Sequence, residues 1–153
     1  MTIGEALNRR SDLQKRIAQL QERLRASVLV QEGDEPPESP DALIAELDAL
    51  CDQLEQVIAQ INLTNADTRL SSGATVTEAL ARRDVLGLRQ SGLRGAIRAA
   101  TNDGLPRYSR SEIRMVRQIR VSDVQARVDA LAKEQRELDA LLQQHNWTTP
   151  LVE

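Results

Sequence analysis

Leu13, Ile17, Leu20 and Leu24 recur at alternating steps of four and three, the interval that stacks side chains along one face of an α-helix. Thr2 stands ahead of them with Glu5 three residues on, the spacing of a capping box. The pattern predicts a first helix that opens after Thr2 and runs to about Leu29. Residues 30–40 carry Gly33, three prolines and four acidic side chains, which deny backbone donors and repel one another, so a flexible acidic loop is expected there. A second helix resumes near Asp41 with Leu43, Leu47, Leu50, Leu54, Val57 and Ile61 on one stripe and Ile44, Cys51 and Ile58 beside it. So wide an apolar face predicts more than one neighbour, with Cys51 as a small buried side chain.

Ser71-Ser72-Gly73 breaks the pattern, and Thr75 with Glu78 repeats the capping-box spacing, opening a third helix expected to reach about Ala100. Gly87, Gly92 and Gly95 inside it each cost about 1 kcal/mol relative to Ala. Gly92 and Gly95, with Ala96 and Ala99, therefore read as a close-packing surface where another backbone approaches. Asn102, Gly104 and Pro106 supply the chemistry that stops a helix. From Arg107 to Val121 two periods compete. Arg107, Arg110, Arg114 and Arg117 are spaced as a helical stripe, whereas Met115, Val116, Ile119 and Val121 suit a strand, and a short extended or β-like arm is expected. A fourth helix starts near Ser122 and carries Val124, Val128, Leu131, Leu138, Leu142 and His145 at four-three spacing, with Gln135 as one polar interruption. A short tail follows from Asn146, in which Trp147 is expected to anchor the chain on the end of the helices.

The two helix starts also resemble each other beyond their caps. Thr2 to Leu13 and Thr75 to Leu86 are identical at seven of twelve positions without a gap, including Ala-Leu-x-Arg-Arg. Asn62-Leu63-Thr64 and Asn146-Trp147-Thr148 form a weaker echo. These matches predict an all-α single domain over residues 1–153: four long helices in two duplicated hairpins, residues 1–73 and 74–153, forming a bundle with approximate two-fold symmetry.

Composition sharpens this picture. The chain is 41% hydrophobic and 28% charged, lacks Phe, and has Trp147 and Tyr108 as its only aromatic residues, so its apolar content is the aliphatic kind that packs between helices. No stretch approaches the roughly 18 apolar residues of a membrane span, and the start has no export signal, so a cytoplasmic protein is expected. Cys51 alone makes neither an internal disulfide nor a cysteine metal cage, which fits a reducing compartment. The net charge of −3 hides a segregation. Val30 to Asp67 holds ten acidic residues and no basic one, while Arg69 to Arg120 holds eleven arginines against four acids. The basic half either meets phosphate or nucleic acid, or faces the acidic half within the chain or across an oligomer.

Candidate chemistry is sparse. Glu5 with Arg9 and Glu78 with Arg82 have the acid-first spacing of helical surface pairs. Arg10 and Arg83 fall on or beside the apolar stripes. If pseudo-symmetry sets them opposite each other they can hold a phosphate or carboxylate together; otherwise their stems lie on apolar surface and their heads reach water or an acid. A di-iron bundle needs two Glu-x-x-His motifs, and His145 is the only histidine. There is no Gly-x-Ser-x-Gly elbow and no Walker or dinucleotide glycine motif, so no enzyme, metal or cofactor is expected.

The segments EALNRRSDLQKRI, VQEGDEPPESP, INLTNADTRL, TEALARRDVLGLR, RYSRSEI and NWTTPLVE, taken together and in order, resemble a family of small uncharacterised bacterial helical proteins, some of them labelled septicolysin. The resemblance covers nearly the whole chain and implies an α-helical fold without an established activity. The label implies a thiol-dependent cytolysin, whereas these residues include no long amphipathic β-hairpin, and the sole thiol is read onto a core stripe. The residues point first to an oligomeric scaffold or protein–protein interaction protein whose partner is itself, at least as a dimer, or another protein. The alternative is a phosphate or nucleic-acid binder working through Arg107, Arg110, Arg114, Arg117 and Arg120, with Tyr108 available to stack. A cytolysin or enzyme comes last.

Overall fold

Thr2 opens the first helix as its spacing to Glu5 predicts. In the computed structural model, which describes residues 1–101 and 115–152, the Thr2 hydroxyl accepts the Glu5 N–H at 3.3 Å and the Glu5 carboxylate accepts the Thr2 N–H at 2.7 Å. Both donors would otherwise lack partners. Helix α1 (Ile3–Ser27) ends short of Leu29. The Ser27 hydroxyl donates back to the Arg23 carbonyl at 2.9 Å, and β-branched Val28 and Val30 lower helix propensity just beyond. Helix α2 (Pro40–Asp67) begins one residue before Asp41, because the Ser39 hydroxyl accepts the Ala42 N–H at 3.4 Å and Pro40 fits the first helical position.

Between these helices lies the core that the four-three spacing predicts. Ala6, Leu13 and Leu20 of α1 and Leu43, Leu50 and Val57 of α2 recur every seven residues and are buried, with Ile61 beside them; Ile17, Leu24, Leu47 and Leu54 pack against this seam. Each buried Leu, Ile or Val contributes about 1.5 to 3 kcal/mol. Cys51 departs from its expected place and is exposed. One residue past Leu50, it is turned about 100° around the helix away from the seam. Ile44, likewise on the flank, is 44% exposed.

Helix α3 (Val76–Thr101) and helix α4 (Val121–Thr148) start and stop within one residue of expectation, except that α4 runs on through Trp147. They are joined by Arg82–Glu134 and Gln90–Gln135 side-chain contacts. The protein is thus all-α, its four helices packing as two hairpins, α1 with α2 and α3 with α4. By backbone contacts it divides into two compact units, Met1–Val76 with Gln144–Glu153, and Thr77–Gln143. The expected arm is not a strand where it can be seen: residues 115–120 have no regular structure, and 107–114 lie outside the described residues. The Arg120 carbonyl instead accepts the N–H groups of Asp123 and Val124, both at 3.1 Å, and so begins α4.

Within the first unit, the two places where a helix end meets the next helix start carry the same hydrogen bonds. Where the tail meets α1, Ile3 donates to the Thr149 carbonyl at 3.0 Å, Leu151 to Met1 at 2.9 Å and Thr149 to His145 at 2.9 Å. Where α2 meets α3, Val76 donates to Thr68 at 3.0 Å, Leu70 to Ala74 at 2.9 Å and Thr68 to Thr64 at 3.0 Å. Each junction has one isolated antiparallel bridge, Thr2–Pro150 and Arg69–Thr75. The echo expected between Asn62-Leu63-Thr64 and Asn146-Trp147-Thr148 is therefore out of register. The hydrogen bonds match Thr64, Thr68 and Leu70 to His145, Thr149 and Leu151, a register that also aligns Asn65 with Asn146. Burial follows the same correspondence: Ile3, Ala6 and Leu13 match Val76, Ala79 and Leu86, all buried.

Candidate interaction surface

Wherever an apolar side chain on these helices misses its seam, it is left on the surface, and two such places face water as continuous features. Leu88, Arg89, Gly92 and Leu93 of α3 and Arg127, Ala130 and Leu131 of α4 line a groove of about 480 Å³. Leu88 is 73% exposed. Gly92 widens this trough, because a Cβ built there has nothing within 4 Å. Among the described residues of one chain no backbone approaches Gly92 or Gly95, and the nearest atom to a Gly95 Cβ is the Arg98 Nη2 at 4.0 Å, so a close approach there would have to come from another copy. Gly4 is where a backbone does come close, since a Cβ there would meet the Asn146 carbonyl oxygen at 3.1 Å and the Trp147 ring at 3.2 Å. Arg89 and Arg127, at the rim of the groove, have no ion-pair partner among the described residues.

The second feature is the flank of α2. Cys51, Leu54, Glu55, Ile58, Ala59 and Asn62 form an apolar hollow of about 450 Å³. Ile44, Asp48, Cys51, Glu55 and Ile58 follow one another at steps of three and four, so carboxylates alternate with apolar side chains along this strip. Asp48 and Glu55 are exposed and, like the two rim arginines, lack an ion-pair partner among the described residues.

The remaining candidate residues are placed as follows. Glu5 serves the cap of α1 and not Arg9, because the first turn of a helix leaves N–H groups that attract a carboxylate. Arg82 reaches across to Glu134, its Nε donating at 2.6 Å. Arg10 is half-buried, and Arg83 donates to the neighbouring Asp84 carboxylate at 2.9 Å. Glu78 lies in the first turn of α3. Arg107, Tyr108, Arg110 and Arg114 lie outside the described residues. Arg117 is exposed and its Nε donates to the Ala100 carbonyl at 2.7 Å, while the Arg120 side chain is exposed. In the acidic loop Glu38 accepts Arg23 Nε at 2.9 Å. That hydrogen bond holds the Glu38 carboxyl below its ordinary range and raises Arg23.

The roles of Gln90 and Thr64 escaped the sequence reading, and His145 was read only as a stripe position of the fourth helix. Gln90, only 5% exposed, donates from Nε2 to Gln135 Oε1 at 2.5 Å, forming a polar layer where the first hairpin has Ile17 and Leu54. Extending the Thr2–Thr75 match to Ile17 would have placed Gln90 on the seam. His145 is buried with Nε2 3.3 Å from Asn65 Oδ1 and Nδ1 2.8 Å from Thr149 Oγ. Because an amide oxygen only accepts, Nε2 carries the proton and Nδ1 accepts from the threonine. Burial pushes the imidazole pKa below its ordinary value. Thr64 completes the clasp by accepting the Val152 N–H at 3.0 Å. Trp147, expected beyond the helix, lies inside α4 and is 61% exposed.

No group of three or more His, Cys, Asp or Glu side chains among the described residues is arranged to hold a metal ion, and no helix among them is long and apolar enough to cross a membrane. The sequence matches a family of unknown function (DUF6847) over residues 10–151. Its fold is similar to the crystal structure of a functionally unknown conserved protein from Corynebacterium diphtheriae, with 36% sequence identity, 99% of each chain covered and a TM-score of 0.88. No curated protein matches.

Proposed function

The chain belongs to this family of unknown function (DUF6847), and from that premise we propose that it is an oligomeric helical interaction protein, not an enzyme, whose first partner is a second copy of itself. The observation that carries the reading is the pair of uncovered apolar features, the groove walled by α3 and α4 and the flank of α2, on helices whose seams are otherwise buried. Apolar surface gains about 25 cal/mol for each Å² removed from water, so such features favour association. Charge supports the same reading, because acids concentrate between Val30 and Asp67 and arginines between Arg69 and Arg120. The matched junction hydrogen bonds support descent of the two hairpins from one duplicated unit. An exposed free thiol at Cys51 suits a reducing cytoplasm.

Light scattering at micromolar concentration and physiological salt tests the proposal. The expected mass is a clear multiple of 17.0 kDa. A monomer under these conditions contradicts it, and a monomer retained on DNA or RNA in a salt-dependent way would favour the arginine-rich binder instead.

A further inference from the structure

Resting on the assembly reading above, we infer that the α3–α4 groove of one copy receives the acidic flank of α2 from another. The groove is apolar at its floor, where Gly92 and Ala130 contribute little bulk, and basic at its rim, where Arg89 and Arg127 stand unpaired among the described residues. The α2 flank has the complementary composition. Ile44, Cys51 and Ile58 alternate with Asp48 and Glu55 along one helical ridge. Packing such a ridge into a trough vacated by a glycine follows ordinary helix–helix geometry. Desolvating the rim then brings two carboxylates to two guanidiniums that have no competing ion-pair partner among the described residues, which selects this pairing over α2 against α2, where like charges would meet.

The contact joins two different surfaces, so two copies satisfy both by exchanging α2 flanks, or successive copies close a ring. It predicts a charge-reversal cycle. Arg89→Glu with Arg127→Glu in one variant, and Asp48→Arg with Glu55→Arg in another, should each weaken self-association by roughly tenfold to a hundredfold. Mixing the two variants should restore association, because each copy then offers the charge that the other lacks. All four side chains are exposed, so the helices should keep their far-UV circular dichroism, and the restored mixture shows directly that both variants are folded. Cys51 supplies a second readout: in a Gly92→Cys variant, oxidation should link Cys51 of one chain to the new cysteine of another.

Variants that associate as wild type, a mixture that stays dissociated, or Cys51–Cys51 links alone would each overturn this docking while leaving the assembly reading in place. A monomeric wild type would end both.

Discussion

Replacing Gln135 with Leu should destabilise the second hairpin more than its partly exposed position suggests. Gln90 is 5% exposed and its Nε2 donates to Gln135 at 2.5 Å, while its Oε1 has only a long contact to Arg94 at 3.5 Å. Removing the acceptor strands a buried amide donor, at a cost of about 1 to 3 kcal/mol. In a chain of this size that lowers Tm by roughly 2 to 4 °C for each kcal/mol. Gln90→Ile alone should cost less, because the amide left behind on Gln135 is only half-buried and can turn to water. The double variant Gln90→Ile/Gln135→Leu installs the residues that the first hairpin holds at Ile17 and Leu54. It forfeits a net hydrogen bond of about 0.5 to 1.5 kcal/mol and gains about 1.5 to 3 kcal/mol from burying the isoleucine. Urea unfolding of the four proteins should therefore place the double variant at or above wild type, with a coupling of at least about 1 kcal/mol. Additivity of the two single changes would refute the polar layer and the correspondence between hairpins on which the choice of residues rests.

Two further outcomes are expected. Gly92→Ala should raise folding stability by up to about 1 kcal/mol in the dissociated protein, since the new methyl meets nothing. Gly4→Ala should cost about 1 to 3 kcal/mol by pressing on the Asn146 carbonyl; a thermal unfolding shift of the opposite sign in either variant would contradict the placement of that glycine. For His145, burial holds the folded-state pKa below the ordinary value of 6.5. The neutral-imidazole contribution to stability is thus full above that value and is lost as pH falls through the lower folded pKa. Urea midpoints should drop on acidification below about pH 6.5, and His145→Gln should flatten that part of the profile; an unchanged slope would remove His145 from the clasp.

The hairpins were legible in sequence because their determinants are local. A Thr-x-x-Glu cap and a heptad of aliphatic residues fix where a helix starts and which side it buries, and both repeat at Thr75 and Leu86. Cys51 was misread because periodicity places a residue on a helix but does not say whether a neighbour covers that side. Gly4 and His145 depend on the tail returning over α1 and α2, a contact between distant parts of the chain. Only the Asn65–Thr68–Leu70 and Asn146–Thr149–Leu151 correspondence hints at it, and that signal is three residues long. The surface groove was invisible because it is made by what α3 and α4 leave exposed together.

Sedimentation equilibrium of the wild-type protein across a salt series tests the central claim most directly. If apolar surfaces drive assembly and the acid–arginine rim selects the partner, the mass should be a multiple of 17.0 kDa at low and physiological salt. Association should weaken as salt screens the rim, without vanishing where the apolar contact persists. A mass of one chain at every salt concentration would contradict the account.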